Sequence, residues 1–425
     1  MRTQAIGAGF EGLEERLLLA GNVVSALAAG VLSLTGDVLA NQIQVTVASN
    51  GQMTATGLSG TTIDGVASKN FGVVNTLTIL GNAGDDSISL NATAATIAND
   101  VSIDGGLGNN TISVTGRFGA DLILTGDAGI DTITVNKATV AVDLNLDAGD
   151  GNNKVTVSNS TITQQAVIVT GTGNDTVKIS GSSFYRDLTQ SDTGGNNLLN
   201  ISNSSTRNDL LMALGSGNDT LLMSGVTAGA RVGSTANGLI DIDFGDGKNV
   251  LTMSNSKALG SGFADGLVLT GGTGNDSFAI MNSQSSNGIV IDAGDGANRI
   301  EMIRVQSSGS PGFFFGLGGF VILTGLGEDN VKLDQVNVSD FANIDLGMGN
   351  DIFQLTNSRI DLLLAVMGLG NDTAYLSNNF FSIGAIVYGD TPIANPDIDS
   401  LTLGANSPNN ATVFRGFEST RFGRF

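Results

Sequence analysis

The chain has no cysteine, no histidine and no tryptophan, and only four prolines among its 425 residues. Without cysteine there are no disulfide bridges, so the fold must be held by packing and hydrogen bonds. The absence of histidine excludes histidine-based zinc sites and Ser-His-Asp triads. Few prolines beside 60 glycines exclude a collagen helix and argue against a disordered linker.

The charge is strongly one-sided, with 40 acidic residues against 19 basic ones and a net charge of −21. Nucleic acids and anionic membranes attract the opposite sign, so neither is an expected partner. The apolar run 23–34 is interrupted by Gly30 and is too short to cross a bilayer. Hydrophobic residues make up 41% of the chain, which is enough to bury a long core.

A phrase close to G-x-G-N-D-x-I-x-V recurs along the chain, as in Gly173-Asn174-Asp175-Thr176-Val177. Internal repetition at a fixed period is typical of solenoids. The commonest step between the anchoring glycines is 22 residues. The anchors are Gly84, Gly108, Gly129, Gly151, Gly173, Gly195, Gly217, Gly247, Gly274, Gly296, Gly327, Gly349 and Gly370.

Each unit has two stretches of alternating apolar residues, one before and one after the anchoring glycine, which indicates strands. A second turn carries Asn or Gly, and both tolerate positive φ, so a left-handed conformation is expected there. These turn residues are Asn159, Gly181, Asn203, Gly225, Asn255, Asn282, Asn357 and Asn378. The pattern predicts an all-β, right-handed, single-stranded parallel β-helix of about 13–14 coils, capped at both ends.

Two residues after each anchor stands a position that is always Asp or Asn. Stacked carboxylates about 5 Å apart repel by about 3 kcal/mol at an effective dielectric near 20, so alternation of Asp with Asn removes a penalty. The alternation ends at three successive aspartates, where a raised pKa or a bound cation is predicted. An alternative is that each residue caps its own turn. The positions are Asp86, Asn110, Asp131, Asn153, Asp175, Asn197, Asp219, Asn249, Asp276, Asn298, Asp329, Asp351 and Asp372.

Near the N-terminus, Leu13-Glu14-Glu15-Arg16-Leu17-Leu18-Leu19-Ala20 resembles the LEPR-XLL motif of large planctomycete surface and extracellular proteins. The resemblance covers about eight residues and departs at Glu15, where the family has proline. It implies export, and so an extracellular or cell-surface location.

The turn phrase also resembles the RTX, or hemolysin-type, calcium-binding repeat G-G-x-G-x-D-x-U-x, which residues 271–278 fit. That family repeats every nine residues, whereas this chain repeats every 22 and often has Asn at the ligand position. The resemblance implies calcium held between turns by backbone carbonyls and aspartates. The candidate ligands are Asp150, Asp246, Asp276, Asp295, Asp329, Asp351 and Asp372.

The predicted organisation has four parts: an export segment (residues 1–21), a β-rich N-terminal cap (22–76), the β-helix (77–403) and a C-terminal cap (404–425). Three long steps place insertions at 226–238, 257–266 and 306–319, on one edge of nearby coils, and loops gathered in this way often form the binding surface of a solenoid. For the phenylalanine triplet 313–315, the favoured interpretation is packing over the apolar flank of the rod. The candidate binding face comprises Arg231, Lys257, Phe263, Arg304, Phe313, Phe314 and Phe315.

Two functions fit the sequence. The favoured one is a secreted or cell-surface structural or adhesive scaffold, stabilised by calcium at its turns, with surface components, matrix components or polysaccharide as partners. The alternative is a polysaccharide lyase or glycoside hydrolase acting at the loop-bearing face, since such chemistry needs paired carboxylates or calcium with a basic residue. Its best cluster would be Arg299 and Arg304 near Asp276 and Asp295.

Overall fold

The computed structural model describes residues 21–229, 238–260, 266–308, 319–390, 399–404, 407–408, 412–417 and 419–422. These residues form 44 strands that join into one sheet system, most of it parallel. From residue 76 onward, strands of one coil pair with strands of the next coil rather than with each other. The prediction of an all-β parallel solenoid is therefore confirmed.

One flat face, called face A, begins directly after the anchoring turn. Its strands pair in parallel and in chain order down the rod. They are β3 (Gln42–Val47), β8 (Ser87–Ile97), β10 (Thr111–Phe118), β12 (Thr132–Val140), β14 (Lys154–Ser158), β17 (Thr176–Ser180), β20 (Leu198–Ser202), β23 (Thr220–Ser224), β26 (Val250–Ser254), β29 (Ser277–Met281), β32 (Arg299–Ile303), β35 (Asn330–Asp334), β37 (Ile352–Thr356), β39 (Thr373–Ser377), β41 (Ser400–Leu403) and β44 (Ser419–Phe422).

A second face, called face C, precedes the anchoring turn and stacks in the same way. Its strands are β2 (Val31–Thr35), β7 (Thr76–Leu80), β9 (Val101–Asp104), β11 (Leu122–Thr125), β13 (Leu144–Asp147), β16 (Ala166–Thr172), β19 (Leu188–Gly194), β22 (Leu210–Ala213), β25 (Ile240–Asp243), β28 (Leu267–Thr270), β31 (Ile289–Asp292), β34 (Phe320–Leu323), β36 (Asn337–Asp345), β38 (Arg359–Gly368), β40 (Phe380–Asp390) and β43 (Thr412–Arg415).

A narrow face B joins the other two and consists mostly of two-residue strands. The long strands β8, β10 and β12 run from face A into face B. The long strands β36, β38 and β40 run from face B into face C. The short strands are β15 (Thr161–Ile162), β18 (Ser183–Phe184), β21 (Ser205–Thr206), β24 (Thr227–Ala228), β27 (Lys257–Ala258), β30 (Gln284–Ser285), β33 (Gln306–Ser307) and β42 (Ser407–Pro408).

The register places matching positions directly on one another. Thr176 pairs with Lys154 in the coil before and with Leu198 in the coil after, each exactly one 22-residue step away. Because every second side chain of a strand points inward, the apolar positions form continuous internal rows. Val155, Val177 and Leu199 are such a row, and each is at most 1% exposed. Burial of an aliphatic side chain of this size contributes roughly 1.5–3 kcal/mol.

The second turn has the conformation that the sequence predicts. Asn159, Asn203 and Asn357 have φ near +50°, and Gly181 has φ of +59°. Arg304 and Gln335 take the same left-handed conformation, with φ of +53° and +55°. The six successive turns from residue 159 to residue 282 all have Asn or Gly, the residues that adopt this left-handed conformation most readily.

The N-terminal part, 22–76, is β-rich as predicted, but it is not separate from the rod. Its strands β2 and β3 are already part of faces C and A. The strands β1 (Asn22–Ala28), β4 (Gln52–Gly57) and β6 (Ser68–Val73) add antiparallel hairpins, and β5 (Thr62–Ile63) pairs with β1. These hairpins cover strand edges that would otherwise be open to other chains.

The far end likewise continues the stack. The strands β43 and β44 pair in parallel with β40 and β41, so the predicted boundary at residue 404 falls inside the rod. Phe414 and Phe417 are partly buried and pack against the core at this end. Face A has sixteen described strands, more than the 13–14 coils predicted, because the first coil and the last two lack the glycine anchor that marks the others.

Several predicted features lie outside the described residues: the LEPR-XLL-like motif, and the candidate binding residues Arg231, Phe263, Phe313, Phe314 and Phe315. The three insertions are themselves described only in part. Lys257 and Arg304 are described and are placed below.

Candidate functional site

The Asp/Asn positions form a buried ladder of hydrogen bonds along the rod. From Asp86 onward, each side-chain Oδ1 accepts the backbone N–H of the matching residue in the preceding coil, at 2.6–3.0 Å, and Asn41 begins the ladder as a backbone donor. Every member is at most 2% exposed. The ladder comprises Asn41, Asp86, Asn110, Asp131, Asn153, Asp175, Asn197, Asp219, Asn249, Asp276, Asn298, Asp329, Asp351, Asp372 and Asp399.

The alternative that each ladder residue caps its own turn is wrong, because the amide that it accepts belongs to the coil before. The ladder residue lies at a buried corner directly before a face A strand. Its backbone N–H needs an acceptor there, and the side chain of the next coil supplies one. Own-turn caps come instead from an earlier column, in which each Asp Oδ1 accepts the glycine N–H two residues on. These are Asp104, Asp147, Asp192, Asp243, Asp292 and Asp345.

Asparagine and aspartate differ in what their second side-chain atom does. The Nδ2 of Asn110 donates to Gly106 O at 2.8 Å, and the Nδ2 of Asn153 donates to Gly149 O at 2.8 Å. The matching Oδ2 atoms of seven aspartates are buried and accept no hydrogen bond from the described residues. They belong to Asp86, Asp131, Asp175, Asp219, Asp276, Asp329 and Asp351.

Burial is the largest cause of a raised pKa at the ladder aspartates from Asp86 to Asp351. It raises the pKa of Asp86, Asp131, Asp219 and Asp276 to about 6, although backbone N–H donors lower it in part. It also raises the pKa of Asp329. Raised pKa values therefore occur in the coils where Asp alternates with Asn, and not only in the run of stacked aspartates as the sequence suggests.

Neighbouring carboxylates add to the effect of burial on the pKa, as two ladder positions show. Burial, with the Asp192 and Asp150 carboxylates nearby, raises the pKa of Asp175 to about 7. Burial, with Asp372 and Asp329 in the adjacent coils, raises the pKa of Asp351 to about 7. In the run of stacked aspartates, burial raises the pKa of both Asp329 and Asp351, and stacked carboxylates contribute at Asp351 whereas Asp295 contributes at Asp329.

The candidate calcium ligands fall into two environments. Asp276, Asp329, Asp351 and Asp372 are ladder members whose Oδ1 already accepts an amide, so they are poor ligands for an ion arriving from solvent. Within the described residues, no group of three or more acidic side chains is gathered closely enough to hold a metal ion.

The other three candidates are exposed at the anchoring turn. Asp150 Oδ1 accepts from Thr172 N and Oγ1, both at 2.8 Å, and Asp246 makes the same pair of contacts with Thr273. Asp295 Oδ1 accepts from Leu326 N at 2.9 Å. With solvent access and nearby turn carbonyls, these three carboxylates fit calcium better than the ladder does.

A second buried ladder, made of serines, was not predicted from the sequence. The Oγ of Ser182 accepts Ser160 N at 3.2 Å, and the Oγ of Ser204 accepts Ser182 N at 3.2 Å. These serines directly follow the left-handed residue of the second turn, so Asn-Ser and Gly-Ser at this step are the signal. The ladder was hard to see because valine takes the position at Val226, Val305 and Val336.

The candidate binding residues that are described do not converge. Lys257 begins a face B strand and is exposed, and Arg304 lies in the left-handed turn two coils later, its Nε donating to Asn282 Oδ1 at 2.8 Å. The cluster for the enzyme alternative is not assembled either. Arg299 pairs with Glu301 at 3.0 Å, while the Asp276 side chain is buried in the ladder.

No helix among the described residues has the length and apolarity to cross a bilayer. Comparison of the chain with protein-family models, with curated proteins and with solved structures gives no match.

Proposed function

We propose that the protein is a structural or adhesive scaffold, secreted or displayed at the cell surface. The observation that carries this proposal is that the repeated polar side chains make hydrogen bonds between the coils of the rod. The Asp/Asn ladder links successive coils through fourteen backbone-to-side-chain bonds, all buried.

Such a ladder resists separation of the coils. Neighbouring strands lie about 4.8 Å apart, so sixteen stacked strands span on the order of 70 Å. Pulling two coils apart would break strand pairing and expose buried amides at the same time. A chain without cysteine thereby acquires resistance to separation of its coils along the rod axis. This resistance does not depend on redox conditions, which suits a location outside the cell.

Face A supplies a surface suited to carbohydrate or matrix contacts. Its eight consecutive strands β10 to β29 contain no acidic residue, although the chain has 40. Their outward rows are mainly Ser, Thr and Asn, with Arg117, Lys137, Lys154 and Lys178 exposed. Hydroxyl and amide rows offer hydrogen bonds to sugar hydroxyls, and the four basic residues favour a neutral or acidic polysaccharide over a basic partner.

Binding to polysaccharides tests the scaffold proposal against the enzyme alternative. The full chain is mixed with a panel of neutral and acidic extracellular polysaccharides, and both co-sedimentation and product formation are measured. Retention without new reducing ends or unsaturated products is expected of a scaffold. Release of such products would replace the scaffold with a lyase or hydrolase.

Calcium at the exposed turns is a further part of the proposal. Calcium added to chelator-treated protein is expected to raise the melting temperature, because a ligand that binds only the folded state stabilises it, by about 2.7 kcal/mol at a hundredfold excess over Kd. Magnesium at equal concentration should act less, since it retains its waters more strongly.

The variant Asp150→Asn/Asp246→Asn/Asp295→Asn is the matched control for this test. It keeps the Oδ1 acceptor for the neighbouring amides but lowers the charge, so it should melt at the same temperature with and without calcium. If the unmodified chain shows no calcium response, the scaffold works without the ion and this part of the proposal is wrong.

A further inference from the structure

The Oδ2 atoms of the ladder aspartates are placed where an acceptor is unfavourable. A Cβ built on Gly126 would come within 2.6 Å of Ala148 O and 2.9 Å of Asp131 Oδ2, so the two oxygens border the same small space. A Cβ on Gly81 would likewise lie 2.2 Å from Gly105 O and 2.5 Å from Asp86 Oδ2. Two buried acceptors that face one space without a hydrogen between them repel each other.

The asparagine coils show what this position requires. There the second side-chain atom is a donor, and Asn110 Nδ2 donates to Gly106 O in its own turn and, at 3.4 Å, to Gly126 O in the next coil. A protonated carboxyl has the shape of the amide and one donor at the corresponding place. Aspartate can therefore replace asparagine here without strain only in its neutral form.

We propose that the buried ladder aspartates Asp86 and Asp131 are neutral carboxylic acids in the folded rod. Each holds its proton on Oδ2 and donates it to the turn carbonyls, while Oδ1 accepts the amide of the preceding coil. From Asn41 to Asn153 the alternation of Asp with Asn thus makes a row of donors in which a proton can be removed at Asp86 and Asp131. The coils around these two residues are held together more strongly at acidic pH and less strongly once the protons have left.

The groups that face these aspartates favour the neutral form. Asp37 and Asp85 act on Asp86, and Asp127 acts on Asp131; all three are carboxylates and disfavour a further negative charge. The polar partners are the amide and backbone N–H of Asn41 for Asp86 and of Asn110 for Asp131, which favour ionisation but do not outweigh burial.

The direction of the pH effect follows from the raised pKa. An aspartate with an ordinary pKa of 3.8 in the unfolded chain and about 6 in the rod binds its proton more tightly when folded. Its contribution to stability is complete below about pH 4 and is lost as the pH rises through the folded pKa. The rod should accordingly resist denaturant better at about pH 5 than at about pH 8.

Denaturant unfolding of the full chain tests the proposal. The variant Asp86→Asn/Asp131→Asn keeps every ladder bond and needs no proton, so between about pH 5 and pH 8 its midpoint should fall less than that of the unmodified chain. The exposed Asp100→Asn is the control and should keep the full pH dependence. Equal pH dependence in the double variant and the unmodified chain would overturn the proposal.

Infrared spectroscopy of the unmodified chain gives an answer even if the variant does not fold. In chelator-treated protein at about pH 5, exposed aspartates are mostly ionised, so a carbonyl stretch from protonated carboxyl groups should come from the buried ladder. The band should vanish as the pH is raised to about 8, and it should be weaker in the folded double variant. Absence of this carbonyl band at about pH 5 would contradict the proposal.

Discussion

At the scale of single residues, the anchoring glycine is the most demanding position in the coil. Gly195 has φ of +129°, and a Cβ built on it would lie 1.6 Å from Gly173 O in the coil before. Gly151 and Gly173 show the same close approach to their own predecessors. The column is glycine because the backbones of adjacent turns touch there, and not only because the turn is tight.

Gly195→Ala should therefore be strongly destabilising. The methyl group collides with backbone that cannot rotate away, so a loss of about 3 kcal/mol or more in the free energy of unfolding is expected. Gly181→Asn is the matched control, because its φ of +59° suits asparagine and Asn378 already stacks on Asn357 at the same turn. Similar midpoints for the two variants in denaturant unfolding would contradict this account.

What the sequence could reveal at this scale depended on repetition. The Asp/Asn column and the left-handed turns recur at nearly constant spacing, so their positions and their alternation were readable. The direction of the ladder bonds could not be predicted, because a sequence shows where Asp131 stands in its coil but not which amide it faces. The three best-exposed calcium candidates, Asp150, Asp246 and Asp295, stay predictions.

At the scale of the element, the functional unit is a pair of coils. Asp175 lies between Asn153 and Asn197, so its neighbours in the ladder are neutral amides. Exceptions occur near the C-terminal end, where Asp351 lies between Asp329 and Asp372. A solenoid tolerates loss of whole repeats because each coil contacts only its neighbours.

Deletion of one coil should consequently be worse than deletion of two. Removal of residues 176–197 places Asp175 directly against Asp219, whereas removal of 154–197 places Asn153 against Asp219 and keeps the alternation. At about pH 8 two carboxylates about 5 Å apart repel by up to about 3 kcal/mol at a dielectric near 20, so the longer chain should melt at the lower temperature.

The pH dependence of this difference is its control. At about pH 5 the stacked acids are neutral, and the single-coil deletion should lose its disadvantage. Calorimetric melting at both pH values measures the effect. A two-coil deletion that is the less stable of the pair at both values would show that the alternation has no energetic weight.

At the scale of the whole molecule, the fold was predictable and its ends were not. Thirteen glycine anchors were enough to predict a parallel solenoid, since strands of 22-residue units have few other ways to bury both apolar rows. Asn41 and Asp399 extend the ladder without an anchoring glycine, so no repeated phrase marks the continuation of the rod through them. Strand pairing with the neighbouring coil, rather than local pattern, decides the structure there.

The ladder also has a sense of direction. In every step the amide belongs to the earlier coil and the accepting side chain to the later one, from Asn41 with Asp86 to Asp372 with Asp399. The earlier coil is synthesised first. The ladder N–H of the newest complete turn therefore has no acceptor until about twenty more residues have emerged from the ribosome. A chain that stopped between coils would therefore leave this buried amide without its acceptor, in addition to the unpaired backbone groups of the last strand edges.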